Sequence, residues 1–237
     1  MKPLVLDFTG SQLRLARKTG AEVLDFSGLG ECRRYCSPES EKRIADALAG
    51  RTRGVHFLDS GDYHYISKIF TDALREPFEL LLIDHHPDMQ EPSLGNLLSC
   101  GGWVRTMLED NQFLAKVTIV GIDPALAGET AGFGGKLAVF CEGDTVLPHK
   151  SMLPLYISID KDALCSCQAR TNWDQGSLTI PDAVSIVTML ASGRRVLGAD
   201  ICGAMPFPEG GTPEDEQLNI YADTRLLEML EGLSPAI

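Results

Sequence analysis

The stretch that decides the fold is LLLIDHHPD, residues 80–88. Four large apolar residues in succession predict a buried strand of a parallel sheet, and polar residues follow where that strand ends. Ligands of open α/β sheets bind beyond the carboxyl ends of the strands, so Asp84, His86 and Asp88 are candidate metal ligands. An extended backbone would hold the two outer aspartates roughly 13 Å apart, too far to share one cluster. The chain must therefore turn here, and Pro87 suits a turn.

Length and composition predict a single globular domain over residues 1–237. Hydrophobic residues make up 44% of the 237 residues, which is enough to bury one sizeable core. No apolar run approaches the roughly 20 residues that a membrane-spanning helix needs. The first residues, MKPLVLD, reach an acid too early for a signal peptide. We therefore expect a cytoplasmic protein.

The chain is strongly acidic, with 33 Asp and Glu residues against 21 Lys and Arg residues and a formal net charge of −12. This charge argues against nucleic acid or an anionic membrane surface as a partner. A small-molecule substrate is the expected partner, and a cationic one is compatible with the charge. A homo-oligomer is possible, although no surface in the sequence identifies one.

The seven cysteines lack the paired CxxC spacing of a zinc ribbon. Reduced thiols are the expected state in a cytoplasmic protein. Cys165 and Cys167 lie near an acidic motif and could be drawn into a metal site, but small buried thiols are the favoured interpretation.

Strand and helix signals alternate along the chain, which predicts a three-layer α/β/α fold with a mainly parallel sheet. The predicted strands cover residues 4–7, 22–26, 55–58, 80–83, 117–122, 137–140, 155–159 and 195–200. The predicted helices cover residues 38–50 and 65–74, lie around 103–108, and begin near 180 and 213. Residues 92–100 are expected to form a loop. Residues 123–136 hold four glycines without a clear period, and we expect a surface loop able to shape or cover a site.

Polar residues at three predicted strand ends could together bind two divalent cations. The candidate ligands are His64, Asp84, His86, Asp88, Asp160 and Asp162. On an extended backbone, Asp160 and Asp162 project to the same side about 6.6 Å apart. Four carboxylates and two imidazoles favour Mn²⁺, with Zn²⁺ or Fe²⁺ as alternatives. Two such ions would supply a hydroxide nucleophile at neutral pH and polarise the group that it attacks.

Other residues near these motifs are interpreted as structural. Lys161 should point away from the acidic cluster and pair with an acid or with solvent. Trp103 and Trp173 are interpreted as packing in the core and in a loop, although Trp173 falls in a segment near the predicted site.

The order of three motifs resembles that of the ureohydrolases, the arginases and agmatinases. GDYH at 61–64, DHHPD at 84–88 and SIDKD at 158–162 are similar to the family's GGDH, DxHxD and SxDxD. Further similar segments are SLGN at 93–96, GSLT at 176–179 and ADI at 199–201. The resemblance implies an arginase-like fold and a binuclear metal hydrolase. Such an enzyme cleaves a carbon–nitrogen bond other than a peptide bond, in a guanidino, amidino or amide compound.

The resemblance also implies a role for each ligand. One ion would be held by His64, Asp84, Asp88 and Asp160, and the second by Asp84, His86, Asp160 and Asp162. Asp84 and Asp160 would bridge the two ions. Asp88 would act as a catalytic residue that orients the hydroxide for attack.

Three departures from the family pattern concern the substrate rather than the metal. The family's glutamate that faces the guanidinium aligns with Gly203, so arginine is not the expected substrate. The family's proton-shuttling histidine aligns with Leu98, and His85 is the candidate catalytic substitute. Cys165-Ser166 replaces the DP that follows the family's second acidic motif. We expect that metal chemistry is retained and that specificity has changed.

Other functions remain open from the sequence. A single-zinc deacylase of the histone-deacetylase-like type is one, because His85-His86 resembles the paired histidines of those enzymes. Such an enzyme would bind one Zn²⁺ rather than two ions. A non-catalytic relative would bind metal without turnover. A phosphoesterase with a DHH strand end is disfavoured, because the early strands offer only the isolated acids Asp7 and Asp25.

Overall fold

The computed structural model describes residues 2–92, 95, 97–147 and 151–233. Its strands are β1 (Leu4–Asp7), β2 (Glu22–Asp25), β3 (Tyr35–Cys36), β4 (Val55–Phe57), β5 (Phe78–Ile83), β6 (Leu98–Ser99), β7 (Leu114–Ile122), β8 (Leu137–Cys141), β9 (Leu155–Asp160) and β10 (Val196–Cys202). Its α-helices are α1 (Leu13–Thr19), α2 (Pro38–Leu48), α3 (Ile66–Asp72), α4 (Trp103–Asp110), α5 (Ile180–Ala191) and α6 (Pro213–Leu233).

Eight of the strands in the described residues form one sheet in the order β2-β1-β4-β10-β9-β5-β7-β8. Every pairing in this sheet is parallel. The central strands β5 and β9 are buried along their whole length, which is why they consist of nearly continuous apolar runs. The predicted three-layer fold with a mainly parallel sheet is confirmed.

Helices cover both faces of the sheet and create two apolar cores. One core packs α2, α3 and α4 against the sheet, with Ile44, Phe70 and Trp103 among its buried side chains. The other packs α1, α5 and α6, with Leu15, Val187 and Leu226. Burying an aliphatic or aromatic side chain of this kind contributes about 1.5–3 kcal/mol each.

Local signals in the sequence set the helix starts. The Ser37 side chain accepts a hydrogen bond from the Ser40 amide, and Pro38 opens α2. Thr179 and Asp182 form a reciprocal capping box at the start of α5, which satisfies amide groups that the helix itself leaves unpaired.

The strand order places a crevice at the middle of the sheet. After β4 the chain passes over two positions to form β5, and β9 and β10 later fill the gap between them. In open α/β sheets such a change of direction is where ligands bind, beyond the carboxyl ends of the strands. The ends of β4, β10, β9 and β5 therefore lie side by side.

The structure differs from the sequence prediction in several segments. Helix α1 was not predicted, and residues 92–100 contain the short strand β6, which pairs antiparallel with β3. The segment 123–136 holds two 3-10 helices, Pro124–Thr130 and Gly134–Lys136. None of the helices in the described part of the chain is long and apolar enough to cross a bilayer.

Candidate metal centre

Three strand ends deliver the six predicted ligands to one place. The turn after β4 continues into the 3-10 helix Gly61–Tyr63, which presents His64. The end of β5 carries the segment 84–88. The last residue of β9 is Asp160, and the 3-10 helix that follows, Lys161–Ala163, presents Asp162. Because β5 and β9 are hydrogen-bonded neighbours, their acidic ends meet.

His64 is the centre of the first group of ligand atoms. Its Nδ1 lies 3.2 Å from Asp84 Oδ2, 3.2 Å from Asp88 Oδ2 and 3.5 Å from Asp160 Oδ2. The His64, Asp84 and Asp88 side chains could hold one ion, since their ligand atoms lie within 4.8 Å of one another. All of these side chains are buried.

His86 is the centre of the second group. Its Nδ1 lies 2.8 Å from Asp162 Oδ2 and 3.8 Å from Asp84 Oδ1. The ligand atoms of Asp84, His86 and Asp162 also lie within 4.8 Å of one another. The two groups therefore share Asp84, as expected for a carboxylate that bridges two ions.

The turn that the sequence requires at 84–88 is made in two ways. The Asp84 carboxylate accepts a hydrogen bond from the His86 amide at 2.7 Å, which folds the chain back at once. Asp88 then adopts a left-handed backbone conformation with φ of 50°, which is uncommon for a residue other than glycine. Local strain of this kind concentrates at functional sites.

Burial and mutual repulsion shape the electrostatics of the cluster. Burial, together with repulsion from a neighbouring carboxylate, raises the pKa of Asp84, Asp160 and Asp162 to about 6. Burial opposes protonation of His86, but its hydrogen bond to Asp162 and the charges of Asp162, Asp84 and Asp88 together outweigh this and raise its pKa to about 10. For His64, Asp84 and Asp88 likewise overcome burial and hold the pKa well above its usual value. The site is thus a pocket of strong negative potential.

Buried partners fix the ligands from behind. The His64 Nε2 atom lies 2.8 Å from Ser158 Oγ, and that hydroxyl donates to Asp200 Oδ1 at 2.6 Å. Trp103 Nε1 donates to Asp88 Oδ2 at 2.5 Å. Supporting contacts of this type orient metal ligands and are worth about 10- to 100-fold in metal affinity.

The donor set fits a metal centre. Four carboxylates and two imidazoles converge in a buried pocket, and Asp84 Oδ2 makes no hydrogen bond to a described residue, although the His64 ring nitrogen lies 3.2 Å away. A buried carboxylate oxygen without a hydrogen bond is costly unless a cation satisfies it. Oxygen and nitrogen donors without a required thiolate suit hard or borderline divalent cations.

The His85 amide donates to Asp162 Oδ1 at 3.0 Å, but its imidazole does not enter the cluster. Its Nδ1 lies 3.6 Å from Glu142 Oε1, and His85 is not among the described residues that line the cavity over the ligands. Consecutive residues at a turn point in different directions, so the ring next to His86 turns away. The prediction that His85 replaces the proton-shuttling histidine is not supported by its placement. Leu98, which occupies the aligned position, lies in β6 and does not line the cavity either.

Gly203 cannot be exchanged for a residue with a side chain. Its φ is 89°, and a Cβ atom there would overlap Asp160 Oδ1 and approach the Lys161 amide nitrogen at 3.0 Å. A glutamate at this position would therefore displace a predicted metal ligand. The expectation that no acid faces the substrate from this position has a steric cause.

Two other expectations near the second acidic motif have different outcomes. Lys161 points away from the cluster, as predicted, and its Nζ lies 2.7 Å from Asp223 Oδ1 in a fully buried ion pair. The expectation of reduced thiols is wrong for Cys165 and Cys167, because the structure joins them in a disulfide. A tight turn, in which the Gln168 amide donates to the Cys165 carbonyl, brings the two side chains together.

A cavity of about 250 Å³ opens above the ligands. Sequence reasoning missed Arg34 and Tyr35 among its walls and interpreted Trp173 as packing in a loop near the site. Arg34 and Tyr35 come from the loop at β3, Trp173 comes from the loop after Asp162, and Leu126 and Glu129 come from the segment 123–136. That segment does shape the site, as predicted. The others carry no motif, and only the fold brings them to the cavity.

Asp62 holds together one side of the cavity and is not one of the candidate metal ligands. Its buried carboxylate accepts hydrogen bonds from the side chains of Arg33, Arg34, Asn172 and Trp173. The two polar residues of GDYH therefore have different roles. Asp62 holds two loops at the rim of the cavity, and His64 enters the cluster. The similar segment SLGN falls partly on Ser93, Leu94 and Asn96, which lie outside the described residues.

Comparisons with known proteins agree with this architecture. None of the protein-family models compared with the chain matches it. A protein of Thermotoga maritima described as uncharacterized is 28% identical over 225 residues, which cover 91% of this chain and 85% of that protein.

Solved structures share the fold at low sequence identity. Proclavaminate amidino hydrolase of Streptomyces clavuligerus is 13% identical with a TM-score of 0.70, over 98% of this chain and 92% of that one. An arginase of Medicago truncatula is 15% identical with a TM-score of 0.67, over 97% and 85%. Trypanosoma cruzi formiminoglutamase with Mn²⁺ is 11% identical with a TM-score of 0.66, over 97% and 93%. The chain has the arginase-like fold that its motifs indicated.

Proposed function

We propose that this chain is a divergent member of the ureohydrolase family. In this proposal it is a metal-dependent hydrolase that cleaves a carbon–nitrogen bond, other than a peptide bond, in a guanidino, amidino or amide compound other than arginine. The observation that carries the proposal is the pair of ligand groups that share Asp84 at the centre of an arginase-like sheet. Structural neighbours described as an amidino hydrolase, an arginase and a Mn²⁺-containing formiminoglutamase support the same chemistry.

Two divalent cations, with Mn²⁺ favoured, fit the charges of the site. His64, Asp84, Asp88 and Asp160 would hold one, and Asp84, His86, Asp160 and Asp162 the other. Four aspartates balance two divalent cations while both imidazoles remain neutral, as metal ligation requires. When bound, such ions lower the pKa of water and polarise the group under attack.

The protein's own residues supply orientation and proton transfer. In this proposal Asp88, which lines the cavity and accepts a hydrogen bond from Trp103, would orient the attacking water, accept its proton and pass that proton to the leaving nitrogen. The Ser158 contact holds the His64 ring in one orientation. The proposed substrate is a small molecule, and a cavity of about 250 Å³ supports this.

The test is hydrolysis by protein reconstituted with Mn²⁺, measured as release of ammonia, urea or amine from a panel of guanidino, amidino and amide compounds. We expect turnover of at least one compound, loss of that turnover after chelation, and its return when Mn²⁺ is restored. Asp84→Asn should abolish it, whereas the matched change Asp46→Asn, at an exposed acid, should not. Turnover unaffected by chelation would contradict the proposal.

The same assay separates the other functions. Bound metal without turnover of any compound would favour a non-catalytic relative. A single bound Zn²⁺ with hydrolysis of acyl amines alone would favour a deacylase. The position of His85 outside the cavity argues against the deacylase. Of the adjacent pair His85 and His86, only His86 lines the cavity.

A further inference from the structure

Arg34 is the one lysine or arginine among the described residues that line the cavity over the ligand cluster. The other charged lining residues are the aspartates and histidines of the cluster, together with Glu129. Four of the five acids would be balanced by two divalent cations. Arg34 and Glu129 then remain as the charged groups of the cavity wall outside the cluster, and Arg34 is the positive one.

The backbone and the side chain of Arg34 are both held in place. Its φ is 62°, its amide donates to the Asp62 carbonyl at 3.0 Å, and its carbonyl accepts from the Cys100 amide at 2.9 Å. Its Nε donates to Asp62 Oδ1 at 3.1 Å, and its Cζ lies 5.0 Å above the Trp173 ring. A guanidinium fixed by a ring and one hydrogen bond loses little entropy when it binds a ligand.

The terminal nitrogens of Arg34 make no hydrogen bond to any described residue, in contrast to those of Arg33. Arg33 also donates its Nε to Asp62, at 2.7 Å, but its Nη2 is taken by Glu209 at 2.6 Å. Arg33 does not line the cavity. Two adjacent arginines thus share one acid, and of the two only Arg34 lines the cavity and has terminal nitrogens without a hydrogen bond to a described residue.

Arg34 lies close to the ligand cluster. The Trp173 ring that it covers is in edge contact with the His86 ring, with centroids 5.8 Å apart. One indole therefore separates the guanidinium from a predicted metal ligand. Because Arg34 and the cluster line the same cavity, one bound molecule could contact both.

We propose that Arg34 binds a carboxylate at the end of the substrate remote from the scissile bond, so that the substrate is an acid bearing an amidino, guanidino or amide group. This inference rests on the proposed function for the position of the reacting group. A planar guanidinium matches a carboxylate through two parallel hydrogen bonds. A substrate ending in an ammonium group would instead be expected to pair with Glu129.

The experiment compares three guanidines that differ only in the remote group. These are γ-guanidinobutyrate, butylguanidine and aminobutylguanidine, titrated calorimetrically into Mn²⁺-loaded protein and assayed in parallel for urea release. We expect the carboxylate compound to bind about 10- to 100-fold more tightly than butylguanidine. Arg34→Gln should remove that preference, Arg34→Lys should retain part of it, and Arg33→Gln, which also loses a hydrogen bond to Asp62, should preserve it.

Each outcome decides between the two claims. Tight binding of γ-guanidinobutyrate without urea release would support Arg34 and count against guanidine hydrolysis as the proposed function. Urea release from all three compounds with equal affinity would support the function and overturn the inference about Arg34. A preference for aminobutylguanidine, or no measurable binding of any of the three, would also overturn it. Thermal unfolding of both Gln variants shows whether a lost preference comes from misfolding. If Arg34→Gln does not fold, the preference measured for Arg34→Lys tests the inference instead.

Discussion

At the scale of single residues, Asp88 depends on Trp103 for its orientation. The indole is fully buried in α4 and donates to Asp88 Oδ2. Replacing it by Phe keeps the packing but removes the donor. We expect Trp103→Phe to lower Mn²⁺ affinity about 10-fold or more, measured by calorimetric titration.

A neighbouring substitution separates orientation from packing. Met107→Leu changes a buried residue of the same helix with little change in volume, so it should leave the Mn²⁺ affinity unchanged. Equal affinities in Trp103→Phe and the parent would show that the indole only packs.

His56 predicts a pH dependence of stability away from the candidate site. Burial lowers its pKa to about 4, against about 6.5 when unfolded. On acidification, His56 therefore takes up a proton in the unfolded chain at a higher pH than it does in the folded chain. The free energy of unfolding falls as the pH drops from about 6.5 to about 4. At about pH 5 this contribution is a loss of about 2 kcal/mol. His56→Gln should remove it, measured by urea unfolding of chelated protein at about pH 5 and about pH 7.5.

The test compares the difference in unfolding free energy between the two pH values, not the stability at one pH, since Gln also alters the stacking of His56 on Phe70. An equal pH difference in variant and parent would contradict it.

Residues in contiguous motifs were predictable, and residues brought in from elsewhere were not. Asp84, His86 and Asp88 follow one apolar strand, so the sequence itself places them at a strand end. Arg34 and Trp173 come from loops that meet through Asp62, a contact that no local pattern encodes. His85 shows the converse: a residue inside a motif turns away because adjacent side chains diverge at a turn.

At the scale of elements, predictability followed the strength of the local signals. The buried strand β5 and the capped helix α5 were both predicted, since apolar runs and capping residues mark them. Helix α1 was missed because its buried residues, Leu15 and Ala16, are adjacent and show no helical spacing, and because no side chain caps it. The two-residue strands β3 and β6 were missed because their pairing joins segments far apart in sequence.

A buried ion pair joins the residue that follows β9 to helix α6. Lys161 and Asp223 are both almost fully buried, with Nζ and Oδ1 2.7 Å apart. We expect Asp223→Ala to lower the free energy of unfolding by about 3–5 kcal/mol, because it leaves a buried ammonium without a partner. Chemical denaturation measures this loss.

Two controls show whether the cost comes from the unpaired charge. The double change Lys161→Met with Asp223→Leu should recover much of the loss. Glu76→Ala, which breaks the exposed pair with Arg195, should cost about 0–1 kcal/mol. A loss in Asp223→Ala no larger than in Glu76→Ala would contradict the prediction.

At the scale of the whole molecule, the fold explains why four acids can be buried together. The carboxyl ends of β4, β9 and β5 meet at one edge of a parallel sheet, and rigid apolar strands hold their repelling carboxylates in place. The possible homo-oligomer remains a prediction of the sequence. The ligand cluster itself, however, is built entirely from the described residues of one chain.

The central claim is that this cluster binds two metal ions, and metal content tests it most directly. The protein is loaded with Mn²⁺, freed of excess ion and analysed by mass spectrometry for metal bound per chain. The account predicts two ions per chain in the parent and a clear loss in Asp84→Asn, in which the shared ligand is weakened. No bound metal in the parent, or equal metal in the parent and Asp84→Asn, would contradict the account.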